Sequence, residues 1–421
     1  MTHKTFLKSG HTPTLLSALL YFDVSFMVWV ILGPLAPFLR QQFGMSATAQ
    51  GLLVAVPLLG GSLFRPILGV LADRIGGRRA GLIGLSLTIA AIVVGWTVAS
   101  APWHLFVLGF FLGIAGASFA VALPLASRWY PAEYQGLAMG IVGAGNSGSL
   151  MATLFAPRLA ERLGWAPTFG LALIPVTCVA IVFALFAKDS PSKRTKPAWK
   201  DYAEILREPD TLWFALLYSL TFGGFVGFTS FLTTFFHEQY HVSSVAAGDF
   251  TTAVVVSGSL MRPLGGWLSD RIGGYRLLLL LLGAVAISLG LVATLPPLAL
   301  AVPTLFVAVG CLGMGNGAVF QLVPQRFAGQ MGIITGVVGA AGGLGGFFLP
   351  SVLGVAKDAT GTYGGGLMLV SLAFVAGAIM LLELGSRWMT RWQESAIKQS
   401  GLFSYRRHAV VGGFSRPDAS A

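Results

Sequence analysis

The sequence predicts an all-α membrane protein: twelve transmembrane helices, arranged as two pseudo-symmetric six-helix bundles with both termini cytoplasmic. Three observations carry that expectation. The chain of 421 residues is 55% hydrophobic and only 10% charged, whereas about a quarter of the residues in soluble domains are charged. Runs of about 20 apolar residues, enough to cross a ~30 Å hydrocarbon core, recur through both halves without the alternation of a β-barrel. Finally, Ser62 to Arg79, SLFRPILGVLADRIGGRR, returns 197 positions later as Ser259 to Arg276, SLMRPLGGWLSDRIGGYR, with twelve of eighteen residues identical. A repeat of nearly half the chain length points to a duplicated bundle with its site between the copies.

The predicted spans, numbered 1 to 12 in order, are 14–38, 49–72, 80–100, 103–127, 135–157, 166–187, 211–236, 247–269, 277–297, 302–325, 331–355 and 363–386. They leave an N-terminal tail at 1–13, bundles at 14–187 and 211–388, a linker at 188–210 and a C-terminal tail at 389–421. Span 1 is too long for a cleaved signal and lacks a small-residue cleavage site. Within it, LLYFDVSFMVWV holds Asp23, the one acid placed well inside a span. Span 2 carries Arg65 and ends in Asp-Arg-Ile-Gly-Gly. A tight turn near Pro102 joins spans 3 and 4, and span 4 contains Gly113, Gly116, Phe119 and Pro124. In span 5, Gly136, Gly140, Ala144, Gly148 and Ala152 recur every four positions, a stripe that lets a neighbouring backbone come close. Asn146 lies two residues off that stripe and so points about 200° away from it.

The linker, KDSPSKRTKPAWKDYAEILREPD, is the one sustained polar interruption, and after it the pattern restarts. Tyr218 then corresponds to Tyr21 and Leu220 to Asp23, so the acid breaks the internal symmetry. Span 8 repeats the arginine as Arg262. In span 11, Gly336 to Gly342 (GVVGAAG) answers Gly140 to Asn146 (GIVGAGN), with Gly342 where Asn146 stands. The polar, basic C-terminal tail is expected to be mobile.

A formal net charge of +11 invites a nucleic-acid partner, but the cations sort by side. Only Arg40, Arg158, Arg162 and Lys357 fall opposite the termini, and only Arg65 and Arg262 fall inside the membrane; the rest of the 27 lie in tails and loops on the terminal side. That bias places both termini in the cytoplasm of a multi-pass cell (inner) membrane protein. Basic clusters such as Lys193, Arg194, Lys196 and Lys200 then read as topology determinants. The two cysteines, Cys178 and Cys311, lie in spans and imply no disulfide framework. No HExxH, CxxC or Gly-x-Ser-x-Gly pattern occurs, so no metal, cofactor or enzyme activity is expected.

An arginine at the centre of a lone helix costs ~2.5–3.5 kcal/mol on insertion scales, so it turns to an interior or a watery cavity. Arg65 stands eight residues from Asp73, about 12 Å along a helix and near the membrane midplane, and symmetry gives Arg262 the same depth. No obvious carboxylates match the pair. A small anion is the simplest missing charge, and two planar forks suit a flat oxyanion. The alternative is that backbone carbonyls, Asp23 or water satisfy each arginine. Tyr218 and Phe222, four apart, share a face and would wall the same space, while Asn146 offers an uncharged donor beside a glycine-lined gap.

At Gly69 to Arg79 and Gly266 to Arg276 the sequence resembles the inner-loop signature of the major facilitator superfamily. Within it, GIVGAGNSG at Gly140 to Gly148 and GVVGAAGGLGGFFLP at Gly336 to Pro350 resemble the paired glycine-rich signatures of the nitrate/nitrite porter family. The resemblance implies that Arg65 and Arg262 clamp nitrate or nitrite, that Asn146 bonds it, and that Tyr218, Phe222 and Phe119 line the site. It implies alternating access gated by signature glycines Gly140, Gly143, Gly145, Gly148, Gly336, Gly339, Gly342 and Gly343, with Asp73, Arg74, Asp270 and Arg271 as an inner latch. FDVSFMVW with Asp23 looks more like the proton-symporter type, with Asp23 as proton carrier. The expected partners are nitrate, nitrite, protons and lipid, for a protein working as a monomer. Nitrate/nitrite exchange, carriage of another small oxyanion, and a nitrate-binding membrane receptor stand as alternatives.

Overall fold

The computed structural model describes residues 6–191, 199–327 and 331–402. Twelve helices in it are long and apolar enough to cross a membrane. They are α1 (Thr12–Phe43), α2 (Ala47–Ile75), α3 (Gly77–Val98), α4 (Pro102–Ser127), α5 (Tyr134–Leu163), α6 (Trp165–Phe186), α7 (Pro209–Tyr240), α8 (Ser244–Ile272), α9 (Gly274–Ala293), α10 (Leu298–Phe327), α11 (Ile333–Thr360) and α12 (Gly364–Arg391). Side chains such as Leu185, Leu280 and Ile287 point outward, as a surface solvated by lipid requires.

The duplication reaches down to the caps. Ser46 and Ser243, 197 apart, each accept the N–H three residues on, at 3.1 Å, and so start α2 and α8. At the other end of each copy the backbone turns through Gly76 (φ 102°) and Gly273 (φ 89°), a conformation that L side chains resist. The bundles also share a matching backbone-to-backbone crossing: Gly113 of α4 lies on Gly60 of α2, and Gly313 of α10 lies on Gly258 of α8, with no room for a Cβ.

Several expectations need correction. Helices run past the predicted ends, since hydropathy marks membrane thickness and not helix length. Glu238, Asp358 and Asp210, read as loop acids, therefore sit on the ends of α7 and α11. Part of the C-terminal tail is ordered: Glu394–Ser400 forms a helix, Gly401 packs on Gly273, and Gln321 donates to the Gln399 carbonyl at 3.2 Å. Within the linker, Trp199–Arg207 is helical; residues 192–198 and 403–421, the rest of the tail, lie outside the described residues. Four helices of the first bundle are interrupted. The breaks fall at Ile31 in α1, Ala117–Ser118 in α4, a 3-10 turn at Ala144–Ser147 in α5, and Ala172 in α6.

The bundles are tied together on the face away from the termini. Arg40 pairs with Glu238, which also accepts from the Tyr363 hydroxyl at 2.7 Å. Arg158 pairs with Asp249 at 2.6 Å. The Asp358 carboxylate accepts the N–H groups of Ala47 (3.1 Å) and Thr48 (2.8 Å), where the exposed amides and dipole of the α2 N-terminus favour an anion. On the terminal face, the described ion pairs between helices stay within one bundle: Asp73 with Arg128 (2.8 Å), and Arg326 with Glu208 (2.6 Å) and Asp210 (2.9 Å). A cavity of about 860 Å³ runs from Arg65 and Phe119 to Asp73, Arg128 and Tyr202 on that face. The molecule is closed on one side and open on the other.

Candidate functional site

Arg65, 1% exposed, reaches from the middle of α2 into the head of the cavity. Its Nε donates to the Gly116 carbonyl at 3.0 Å, Nη1 donates to the Gly339 carbonyl of α11, and Nη2 has no protein partner. Gly116 is the last residue before the break in α4, where helical carbonyls lose their usual donors. The interruption thus supplies the acceptor that the buried cation needs. Around the guanidinium stand Trp29 (5.1 Å), Phe119 (5.3 Å) and Phe222 (5.1 Å), whose ring faces favour a cation.

Arg262 approaches from α8. Its Nη2 lies 3.5 Å from the Tyr218 hydroxyl, and its Nη1 is buried without a partner. Phe119 stands 6.0 Å from this guanidinium, and so faces both arginines. Tyr218 stacks on Phe222 at 5.1 Å with the rings 4° from parallel. Phe320 of α10 meets the Tyr218 ring edge-on at 4.9 Å and lies 6.5 Å from Phe119. Among the described residues neither arginine has an ion pair, so a buried cation, Arg65, and a half-buried one, Arg262, converge with donors to spare.

The glycines of α11 are the floor under these groups. A Cβ at Gly342 would come within 2.7 Å of the Tyr218 ring and 2.9 Å of Phe222. Gly339 lies against Arg65 and Phe119, each within 3.7 Å of its Cβ position, and Gly343 against Ser62. Ser62 donates to the Ala340 carbonyl and Ser219 to the Ala341 carbonyl, both at 2.7 Å. Three successive carbonyls of α11 are therefore held by side chains from α2 and α7. Gly336 meets nothing within 4 Å.

In α5 the docking stripe is shorter than expected. Gly136, Gly140 and Gly143 have nothing within 4 Å of a Cβ position, because they lie on the open side of a segment that packs on α1 and α4 through other residues, with Ala138 and Val142 buried. Among these glycines, close approach to α1 begins at Gly145, whose Cβ position is 2.9 Å from the Asp23 nitrogen, and is tightest at Gly148, against the Asp23 carbonyl. Gly148→Leu should therefore collapse the yield of monodisperse protein in size-exclusion chromatography, while Gly140→Ala leaves it near wild type.

Asn146 occupies the 3-10 turn between α1 and α8, fully buried, with Nδ2 and Oδ1 both unpartnered. Asp23 accepts a 2.7 Å hydrogen bond from Ser147 on the same turn. No described ion pair joins it to either arginine. Of the four residues expected to form an inner latch, two have described partners, each in its own bundle. Asp73 holds Arg128 (2.8 Å), Arg271 lies over Trp267 (3.9 Å), and Arg74 and Asp270 are exposed.

The structure thus brings Arg65, Arg262, Phe119, Tyr218, Phe222, Gly339 and Gly342 together, with Asn146 and Asp23 on the adjoining turn of α5 and α1. Sequence reasoning missed Trp29, Ser62, Ser219 and Phe320. Nothing marks Phe320 among 30 phenylalanines. Trp29 could have been found from its place in the span that holds Asp23.

Two six-helix bundles enclosing a cationic site, closed on one face and open on the other, define a membrane carrier, a class whose members are not enzymes. Residues 18–350 match the family profile described as Major Facilitator Superfamily. Similar proteins include the "Nitrite extrusion protein" of Bacillus subtilis, 36% identical over 88% of this chain and 92% of its own. The "Probable nitrate/nitrite transporter NarK2" of Mycobacterium tuberculosis is 36% identical over 87% and 95%, and the "Probable nitrate transporter NarT" of Staphylococcus carnosus is 32% identical over 86% and 92%. The fold also matches the xylose transporter XylE from E. coli, in a partially occluded inward open conformation, with a TM-score of 0.72 at 16% identity over 89% of this chain and 99% of that one. The chain belongs to the Major Facilitator Superfamily and, through relatives more than 30% identical over most of their length, to its nitrate/nitrite porter family. It is a multi-pass protein of the inner membrane.

Proposed function

We propose that this protein imports nitrate, and also nitrite, together with protons, by exposing the Arg65 and Arg262 site alternately to the two faces of the membrane. The observation that carries the reading is the pair of guanidiniums, Arg65 buried and Arg262 half-buried, each with a buried nitrogen that has no partner and, among the described residues, no ion pair. A small planar oxyanion fits two forks walled by Phe119, Tyr218 and Phe222 and floored by glycine. The names of the relatives supply nitrate and nitrite as the anions. One chain encloses the site, so a monomer suffices.

The excess of Lys and Arg on the terminal side argues that this face is cytoplasmic, which makes the present conformation inward-facing. The rest of the cycle would then open the face held by Arg40, Arg158 and Asp358 while Asp73, Arg74, Asp270 and Arg271 close the other, with α5 and α11 sliding on their glycines.

Proton coupling follows from charge. Bringing a monoanion into an inside-negative cell costs ~2.3 kcal/mol per 100 mV, and two protons per anion reverse the sign. Asp23, within the membrane and hydrogen-bonded to the turn that carries Asn146, is the group to carry one. Exchange of nitrate for nitrite is the second reading, favoured by the relative named a nitrite extrusion protein. Proteoliposome uptake of nitrate under an imposed pH gradient, with and without internal nitrite, tests both. Symport requires the gradient and no internal anion; uptake that appears only with internal nitrite would replace symport by exchange.

A further inference from the structure

Asn316, in the middle of α10, is completely buried, and neither its Nδ2 nor its Oδ1 has a hydrogen-bonding partner. An unpaired amide is costly to bury in a membrane protein, where water cannot rescue it. Its neighbours fix where it points. A Cβ on Gly315 would touch Thr221 of α7 at 2.8 Å, and one on Gly317 would touch the Arg262 carbonyl of α8 at 2.8 Å. At 100° per residue, Asn316 lies between these two directions, in the angle where Tyr218 and Arg262 meet. Phe320, one turn on along the same face, already touches the Tyr218 ring at 4.9 Å. In the second bundle Gly342 replaces the amide that Asn146 supplies in the first, so Asn316 brings from α10 the donor that α11 lacks.

We infer that Asn316 is a specificity-determining residue of the anion site, its Nδ2 donating to the anion oxygen that the two guanidinium forks leave uncovered. This rests on the nitrate reading given above. Nitrate has three oxygens and nitrite two, so an additional donor group favours nitrate over nitrite.

The test is binding of nitrate and of nitrite to the purified full-length protein, followed by titration calorimetry and by thermal denaturation with no anion added. Asn316→Leu keeps the branched four-atom skeleton of the side chain and removes the amide. It should weaken nitrate binding about tenfold, loss of one charge-free donor to a charged acceptor being worth a factor of this order. Nitrite binding should weaken less than threefold, and the melting temperature without anion should not fall. Unchanged nitrate affinity, or equal weakening of both anions, would overturn the inference, and so would a lowered melting temperature. Asn316→Asp, the same shape with a charge that repels an anion, covers the case in which the leucine variant does not fold: it should lose binding of both anions, and near-normal affinity would overturn the assignment. Wild-type protein that binds neither anion defeats the nitrate reading itself; wild-type binding matched by Asn316→Leu defeats only the role of Asn316.

Discussion

Arg65→Lys and Arg262→Lys should each cut nitrate uptake into proteoliposomes by about 100-fold or more, although both keep the charge. A guanidinium offers five N–H donors in a rigid plane, and an ammonium offers three around a point. At Arg65, Nε and Nη1 are already committed to the Gly116 and Gly339 carbonyls, and Nη2 remains for an anion. A lysine cannot reach two carbonyls on different helices and still present a donor in the plane between Phe119 and Phe222. Hydrogen bonds to charged groups contribute ~1.5–3 kcal/mol each, so losing one or two of them accounts for the expected factor. Near-normal uptake by both variants, at matched protein levels, would mean that the arginines provide only a diffuse positive field.

Asp23→Asn should abolish the acceleration of nitrate uptake by an inward pH gradient while sparing nitrate/nitrite counterflow. The substitution is mild in structure. An amide oxygen can still accept from Ser147, now at 2.7 Å, and the close contacts of Gly145 and Gly148 involve the backbone of Asp23 and not its side chain. What is lost is the ability to bind and release a proton. Gradient-driven uptake that persists at the wild-type level would remove Asp23 from the coupling, and the exchange reading would then gain.

The repeat explains why so much of the fold could be read in advance. One stretch of eighteen residues, met twice, supplied the two-bundle plan, the depth of both arginines and their convergence. The serine caps and the glycines that end α2 and α8 follow at the same offset. The helix interruptions did not show, because glycine and alanine in the middle of a membrane span serve equally for a straight packed helix and for a loosened turn. Hence the stripe in α5 was read as one docking edge, whereas Gly136 and Gly140 face open space and, of its glycines, only Gly148 lies against the α1 backbone. Phe320 and Asn316 were hidden for a related reason. Their meaning depends on which way α10 turns between α7 and α8, and the glycines that fix this turn say nothing alone about what they abut.

With Arg65 binding the anion as proposed, its bonds would also bear on how the protein senses its cargo. Gly116 and Gly339 belong to different bundles, so one side chain is both reader and strut. An anion on Nη2 that drew this guanidinium toward itself would pull Nη1 away from the Gly339 carbonyl of α11. Recognition and the grip between the bundles are then a single variable. Weak acceptors leave α11 fastened where it is, and selectivity is exercised on the motion as much as on the binding.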